Sequence, residues 1–262
     1  MAGKHSKKKA RKVTTRFPRP DVMWNWFDLI LISVTLIVAF FVSSNVVSST
    51  LAQLLPGTGQ AMLRLVLVLV FYVIEILVIV YIAHRHNYKF TTLYRLSPAK
   101  KDDLETPLSV VGNVCLSGVL VLALLVVTRG FGMLWHYVTL NYGWTPTSTN
   151  DLLTMFGTTP ASVVLAIVCV VVIAPFIEEI IFRGVFLSTL EMAMPNWVAL
   201  IVSSAIFATY HASPWAFIPH FVLGLALGIL AASRKTLWPA ILLHALHNAV
   251  LMAAAFYTTF YA

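Results

Sequence analysis

The chain has 262 residues, of which 59% are hydrophobic and only 11% are charged. Soluble domains carry about 25% charged residues, so this composition excludes an ordinary soluble domain and predicts an all-α bundle with several membrane spans. Much of the net charge of +8 comes from lysines and arginines in residues 1–20. Beside a membrane span, such a tail is expected to stay in the cytoplasm and to bind anionic lipid, not nucleic acid. It lacks the apolar core of a signal peptide, so no cleaved leader is expected.

Three membrane spans are predicted in an N-terminal membrane region, residues 21–159. They cover residues 23–47, 61–83 and 108–128. Because basic loops face the cytoplasm, the clusters at residues 4–19, 85–101 and 234–235 are assigned to that side, and the poorly charged loops 48–60 and 129–159 to the other. Glu75, inside the second span, has no motif around it and is interpreted as a helix-packing residue.

The C-terminal region, residues 160–262, is predicted to hold the functional site. A long helix is expected over residues 160–191, with Pro160 in its first turn. Two short apolar segments, residues 197–211 and 216–232, are close to the lower limit of about 17 residues for a span, so they are expected to form a hairpin that turns within the membrane beside a cavity. Gly224 and Gly228 have the spacing of a helix–helix contact. A last helix over residues 237–256 brings the expected total to about seven spans, within a range of six to eight.

Two adjacent carboxylates stand in the apolar long helix. Arg183 follows Glu179 by four residues, so the two side chains share a helix face and are predicted to form an ion pair. Glu178 is rotated from Glu179 by about 100° and cannot face Arg183 equally well. Ionisable residues inside a membrane are costly and mark functional sites by default, although a role in joining helices or in reaching the headgroups remains an alternative. The sequence therefore predicts one paired carboxylate and one that is free for chemistry.

Four polar groups are expected at overlapping depths in the bilayer, when counted at about 1.5 Å per residue from the cytoplasmic turns. They are Glu178, His211, His244 and Asn248. Peptide hydrolysis needs a base that activates water and donors for the oxyanion. A carboxylate in apolar surroundings holds a proton more readily than in water, which suits a general base, and a histidine beside it can orient the water. His244 and Asn248, at positions i and i+4 of one helix face, can donate to a single oxyanion.

The remaining histidines and a possible metal have simpler interpretations. Glu178, His211 and His244 are atom types that bind zinc, but the His-Glu-x-x-His helix of common zinc proteases is absent, so no cofactor is expected and zinc stays the alternative. His247 lies about 100° from the face of Asn248 and is interpreted as a supporting or packing residue. His220, after Pro219, is interpreted as a residue at the membrane interface.

Three short motifs follow one another in the C-terminal region. They are Glu178-Glu179-x-x-x-Arg183, Phe207-x-x-x-His211 and His244-x-x-x-Asn248. In this order and spacing the sequence resembles the CAAX-protease and bacteriocin-processing family of intramembrane proteases, also called the Abi family. The resemblance extends over about residues 160–255, and the first 150 residues resemble no specific family.

The resemblance implies metal-independent peptide hydrolysis by a glutamate-activated water, in a membrane cavity open to the cytoplasm. It implies that Glu178 is the general base and that His211 is its partner at the water. It further implies that His244 and Asn248 form the oxyanion site, while Glu179 and Arg183 form a structural pair.

Two other classes of function remain open. A bacteriocin-immunity or peptide-binding membrane protein would hold a peptide without obligatory turnover. A transporter would also bury charges, but it should have paired broken helices in both halves, whereas here the C-terminal half carries the polar motifs. The prediction is an endopeptidase of a bacterial cell membrane that acts on a membrane-associated peptide or protein. Prenylated and unmodified substrates, and any oligomeric state, are equally compatible with the sequence.

Overall fold

The computed structural model describes residues 25–48, 57–87, 96, 107–143, 157–211 and 213–261, and within these ranges the protein has seven helices and no strand. The helices are α1 (Trp26–Ser48), α2 (Gly57–Arg85), α3 (Pro107–Asn141), α4 (Pro160–Ala193), α5 (Asn196–Tyr210), α6 (Phe217–Arg234) and α7 (Trp238–Phe260). The basic tail predicted for residues 1–20 lies outside the described ranges.

Five of these helices, namely α2, α3, α4, α6 and α7, are long and apolar enough to cross a membrane. Helix α5 has 15 residues, which corresponds to about 22 Å and is shorter than a hydrocarbon core of about 30 Å. It packs against α6 as the first arm of a hairpin, as the short segments predict. The prediction of an all-α bundle with several spans is thus confirmed.

Helix α3 is longer than the sequence predicts. Residues 129–159 were expected to form a loop with room for a short helix of its own, but α3 itself continues through Arg129 and ends at Asn141. The apolar run ends near Thr128, but residues 129–141 contain no proline that would end the helix. A continuing helix also keeps its backbone groups hydrogen-bonded where the chain leaves the apolar layer. The indole N–H of Trp135 donates to the carbonyl of Trp215 at 2.6 Å, which ties this extension to the turn between α5 and α6. The prediction is therefore wrong for residues 129–141, and residues 144–156 lie outside the described ranges.

Helix α4 lies in the main hydrophobic cluster and carries two π-helical segments, Val168–Ile173 and Ile180–Phe186. The first π-helical segment ends two residues before Pro175, which has no N–H and cannot donate to the preceding turn. In the second, side-chain hydroxyl groups bind freed carbonyl oxygens: Ser203 donates to Phe182 at 3.1 Å, and Ser188 to Arg183 at 3.3 Å. Segments of this type are frequent at functional sites. Between them, Ala174–Glu179 is a regular α-helix and carries both carboxylates.

Helices α5 and α6 approach closely at the two glycines that the sequence analysis identified. Gly224 faces Ser204, and Gly228 faces the end of the Leu200 side chain. The predicted helix contact is present, because residues without side chains at these positions let the two backbones come together.

We expect Gly224→Val to lower the melting temperature. A Cβ atom at Gly224 would lie 3.0 Å from Cβ and 3.1 Å from Cα of Ser204, and overpacking of this kind typically costs about 1–3 kcal/mol. Thermal melts in detergent measure the effect. Gly118→Val on α3 is the control, because nothing lies within 4 Å of a Cβ atom at that position. Equal melting temperatures for the two variants would contradict this description of the α5–α6 contact.

Candidate active site

Three of the four predicted polar residues, Glu178, His211 and His244, come together where α4, α5 and α7 meet. Glu178 is 7% exposed. Its Oε2 atom lies 3.9 Å from Nε2 of His211 and 3.8 Å from Nε2 of His244. Oε2 has no hydrogen-bond partner among the described residues. One carboxylate oxygen therefore faces two imidazole nitrogens without being bonded to either.

The neighbouring carboxylate, Glu179, is fully buried and bonds to two side chains through one oxygen. Its Oε1 accepts a hydrogen bond from Nη1 of Arg183 at 2.7 Å and lies 2.9 Å from Nδ1 of His244. The spacing predicted the first of these contacts and gave no indication of the second. Glu179 therefore joins α4 to α7 in addition to neutralising Arg183.

Arg183 is held by three different groups, as a charge with 1% exposure requires. Besides Glu179, its Nη2 donates to the carbonyl of Gly224 at 3.1 Å. Its guanidinium carbon lies 4.4 Å from the ring centre of Phe207, within the range of a cation–π contact. The phenylalanine of the second motif thus packs against the arginine of the first.

Hydrogen bonds at Nδ1 fix the ring orientation of His211 and of His244. Nδ1 of His211 lies 2.8 Å from the carbonyl oxygen of Phe207. A carbonyl oxygen only accepts, so Nδ1 carries the proton, and Nε2 of the neutral ring is an acceptor that faces Glu178. Nδ1 of His244 likewise donates to the Glu179 carboxylate, which directs its Nε2 toward Glu178 as well. Both rings therefore turn the same atom toward the unpartnered oxygen.

Asn248 and His247 lie on α7 but make different contacts. The amide of Asn248 donates one hydrogen to the carbonyl of Val170 at 2.9 Å, in the first π-helical segment. Nδ1 of His247 lies 3.5 Å from the hydroxyl of Thr128 on α3. His247 thus contacts a different helix from the one that carries Glu178, which agrees with its interpretation as a packing residue.

Three residues at the site were not identified from the sequence. The ring of His220 lies 4.0 Å from that of His211, centre to centre, a contact that its assignment to the membrane interface did not predict. The turn between α5 and α6 is too short to keep these rings apart. Tyr210, just before His211, and Tyr72 on α2 both lie close enough to Glu178 to interact with its charge. The one signal in the sequence for Tyr72 was its position in the middle of an apolar run, one helix turn before Glu75.

Glu75 contacts a neighbouring helix, as its packing interpretation predicts. It is 3% exposed, and the hydroxyl of Thr35 on α1 donates to its Oε2 at 3.3 Å. Within the part of the chain that the structure describes, no group of three or more His, Cys, Asp or Glu side chains is arranged to hold a metal ion.

The fold and this site define a multi-pass α-helical membrane protein with a buried cluster of glutamate and histidine side chains. Residues 160–250, about a third of the chain, match the model of a protein family described as Rce1-like, type II CAAX prenyl endopeptidase. This match confirms the family resemblance that the three motifs predict. Comparisons with curated proteins and with solved structures found no match for the chain.

Proposed function

We propose that the protein is an intramembrane endopeptidase in which Glu178 activates the water that cleaves the peptide bond. The observation that carries this proposal is the position of Glu178 Oε2, unpartnered, 3.9 Å and 3.8 Å from two Nε2 atoms. A buried carboxylate oxygen without a partner is costly, so it calls for a functional explanation. The match to a family of endopeptidases over the same residues supports the same activity.

In the proposed first step, a water molecule binds between Glu178 and His211. A separation of 3.9 Å between Oε2 and Nε2 accommodates a water within about 2.8 Å of both atoms. Glu178 takes one proton from this water, His211 accepts a hydrogen bond from it, and the oxygen attacks the scissile carbonyl. When the tetrahedral intermediate collapses, the proton on Glu178 passes to the leaving amine, which restores the free carboxylate.

His244 is proposed to stabilise the oxyanion as a cation. Its Nδ1 proton is already donated to Glu179, so its Nε2 can donate to the oxyanion only when the ring carries both protons. Together, Glu179, Arg183 and a charged His244 carry one net positive charge, which matches one oxyanion. Asn248 retains one amide hydrogen beyond its bond to Val170 and is proposed as the second donor.

The proposed substrate is the C-terminal segment of a prenylated, membrane-associated protein, the substrate class named in the family description. The test is cleavage by the purified protein in detergent of a prenylated peptide, the same peptide without its lipid, and an unrelated leader peptide. We expect cleavage of the prenylated peptide at a defined bond. Cleavage of only the leader peptide would replace this substrate class, and no cleavage of any peptide would contradict the proposed activity.

We propose that the reaction needs no metal, because the residues near Glu178 supply a base, a water partner and an oxyanion donor. Activity should therefore survive dialysis against a strong chelator, with metal content measured on the same sample. Loss of activity that zinc restores would establish Glu178, His211 and His244 as zinc ligands instead.

The proposed orientation has the basic clusters in the cytoplasm. We expect a cysteine introduced at Lys235 to react with an impermeant maleimide from the cytoplasmic side, and one introduced at Gly57 to react from the other side. The measurement compares intact cells with inverted vesicles in a variant without Cys115 and Cys169, which are free thiols in this structure. That cysteine-free variant is the control, and reversed labelling would invert the topology.

A further inference from the structure

We propose that His220 is a positioning residue for the reaction: its ring packs on the ring of His211 and holds that ring in the plane that turns Nε2 toward Glu178 and the water. This inference rests on the proposed function. His220 belongs to none of the three sequence motifs, and it adds a residue of α6 to a site formed by α4, α5 and α7.

The ring of His211 needs a further contact to hold it in one plane. His211 follows the last residue of α5 and is the C-cap of that helix. Its Nδ1 donates to the carbonyl of Phe207 at 2.8 Å, but a single hydrogen bond at the end of a helix permits a range of ring planes. The last torsion of a histidine side chain is broad and does not select one of them. The direction of Nε2 therefore depends on what touches the faces of the ring.

The ring of His220 makes that contact. The two ring centres are 4.0 Å apart and the ring planes differ by 32°, so the imidazoles lie face to face with a moderate tilt. Phe207 and Tyr210 meet the ring of His211 more nearly edge-on, at 64° and 84°. A neighbour that covers the face of a ring resists its rotation, because a turned ring would push its edge into the neighbour.

The ring of His220 is itself fixed on α6. Its Nδ1 lies 2.7 Å from the carbonyl oxygen of Ala216, and its backbone N–H donates to the same oxygen at 3.0 Å. Because a carbonyl oxygen only accepts, Nδ1 of His220 carries the proton. The backbone N–H of Ala216 in turn donates to the carbonyl of Ser213 at 3.1 Å, within the turn between α5 and α6. This turn therefore holds the ring of His220, and that ring holds His211.

His220→Leu and His220→Phe separate the effect of a flat ring from that of side-chain volume. Leucine fills space without a flat ring, whereas phenylalanine keeps the ring without its nitrogen atoms. We expect His220→Leu to lower kcat by about three- to tenfold, the range for one lost ring contact. KM should stay close to that of the unchanged protein, because His211 is proposed to act on the water and not on the substrate. His220→Phe should keep kcat within about twofold.

Phe221→Ala is the matched control, because Phe221 lies on the same turn of α6 and its described ring contact is with Phe217. Its kcat should be normal, even if a thermal melt of the same preparation shows lower stability. If His220→Leu does not fold, His220→Ala takes its place with the same expected loss. A normal kcat in the variant without a ring, an equal loss in His220→Phe, or a change confined to KM would overturn the inference.

Glu178→Gln in the same assay separates this inference from the proposed function. If the unchanged protein cleaves the prenylated peptide, Glu178→Gln does not, and the His220 variants are normal, the role of His220 alone fails. If Glu178→Gln cleaves at the normal rate, or the unchanged protein cleaves nothing, the proposed function fails and this inference fails with it.

Discussion

Glu178→Gln is expected to lower kcat/KM by about 10²–10⁴-fold, the usual contribution of a general base. Glutamine has nearly the same size as glutamate, but it cannot take a proton from water. Because Oε2 forms no hydrogen bond with a described residue, replacing the carboxylate breaks no contact of that atom, and the melting temperature should stay close to that of the unchanged protein. Peptide cleavage and a thermal melt in detergent, on the same preparation, measure both quantities.

Glu75→Gln is the matched control for this experiment. Glu75 is also a buried glutamate in an apolar helix, but its Oε2 accepts a hydrogen bond from Thr35 on α1. It should keep its activity, since it has no place in the proposed reaction. Comparable losses of activity in Glu75→Gln and Glu178→Gln would contradict a specific role for Glu178.

Glu179→Gln is expected to act mainly on stability. It removes the charge that balances Arg183, and breaking a buried ion pair typically costs about 3–5 kcal/mol. The Arg183 side chain is 2% exposed in this pair and Glu179 is fully buried, so water cannot replace the lost partner. The melting temperature and the yield in detergent should both fall, and activity should fall with them.

The double variant Glu179→Gln with Arg183→Met should recover part of the lost stability, because no orphaned charge remains. Its activity should recover less, because a neutral amide replaces the carboxylate that accepts the hydrogen bond from Nδ1 of His244. Thermal melts and cleavage assays of the unchanged protein, both single variants and the double variant make the comparison. If Glu178→Gln cleaves at the normal rate while Glu179→Gln is stable and inactive, the roles of the two glutamates are reversed.

The sequence predicted the contacts that depend on spacing within one helix. The ion pair of Glu179 with Arg183 follows from positions i and i+4, and the close approach at Gly224 follows from the absence of a side chain. The all-α bundle follows from composition, since a membrane permits few other ways to pair every backbone group.

Contacts between helices were harder to predict, because spacing does not give the rotation of one helix against another. The π-helical segments on either side of Glu178 and Glu179 change that rotation within α4 itself. The bond of Glu179 to His244 and that of Asn248 to Val170 therefore appeared only in the structure. Tyr72 was missed for a similar reason: Glu178, with whose charge it interacts, is more than 100 residues away in the chain.

Glu179 contacts both Arg183 and His244, whereas the sequence predicted only its ion pair with Arg183. If Glu179 were paired with Arg183 alone, no contact with Glu179 would select which ring nitrogen of His244 carries the proton. Here one oxygen of Glu179 contacts both Arg183 and His244. The stability of the bundle and the orientation of the oxyanion donor thus depend on the same buried atom.

The most direct test of the central claim, that Glu178 activates water to cleave a peptide, is mass spectrometry of membrane peptides. Cells that express the unchanged protein are compared with cells that express Glu178→Gln at the same level. We predict peptide products with new C-termini at a defined bond in the first sample, with the matching uncleaved peptides in the second. The same products at the same abundance in both samples would contradict the claim.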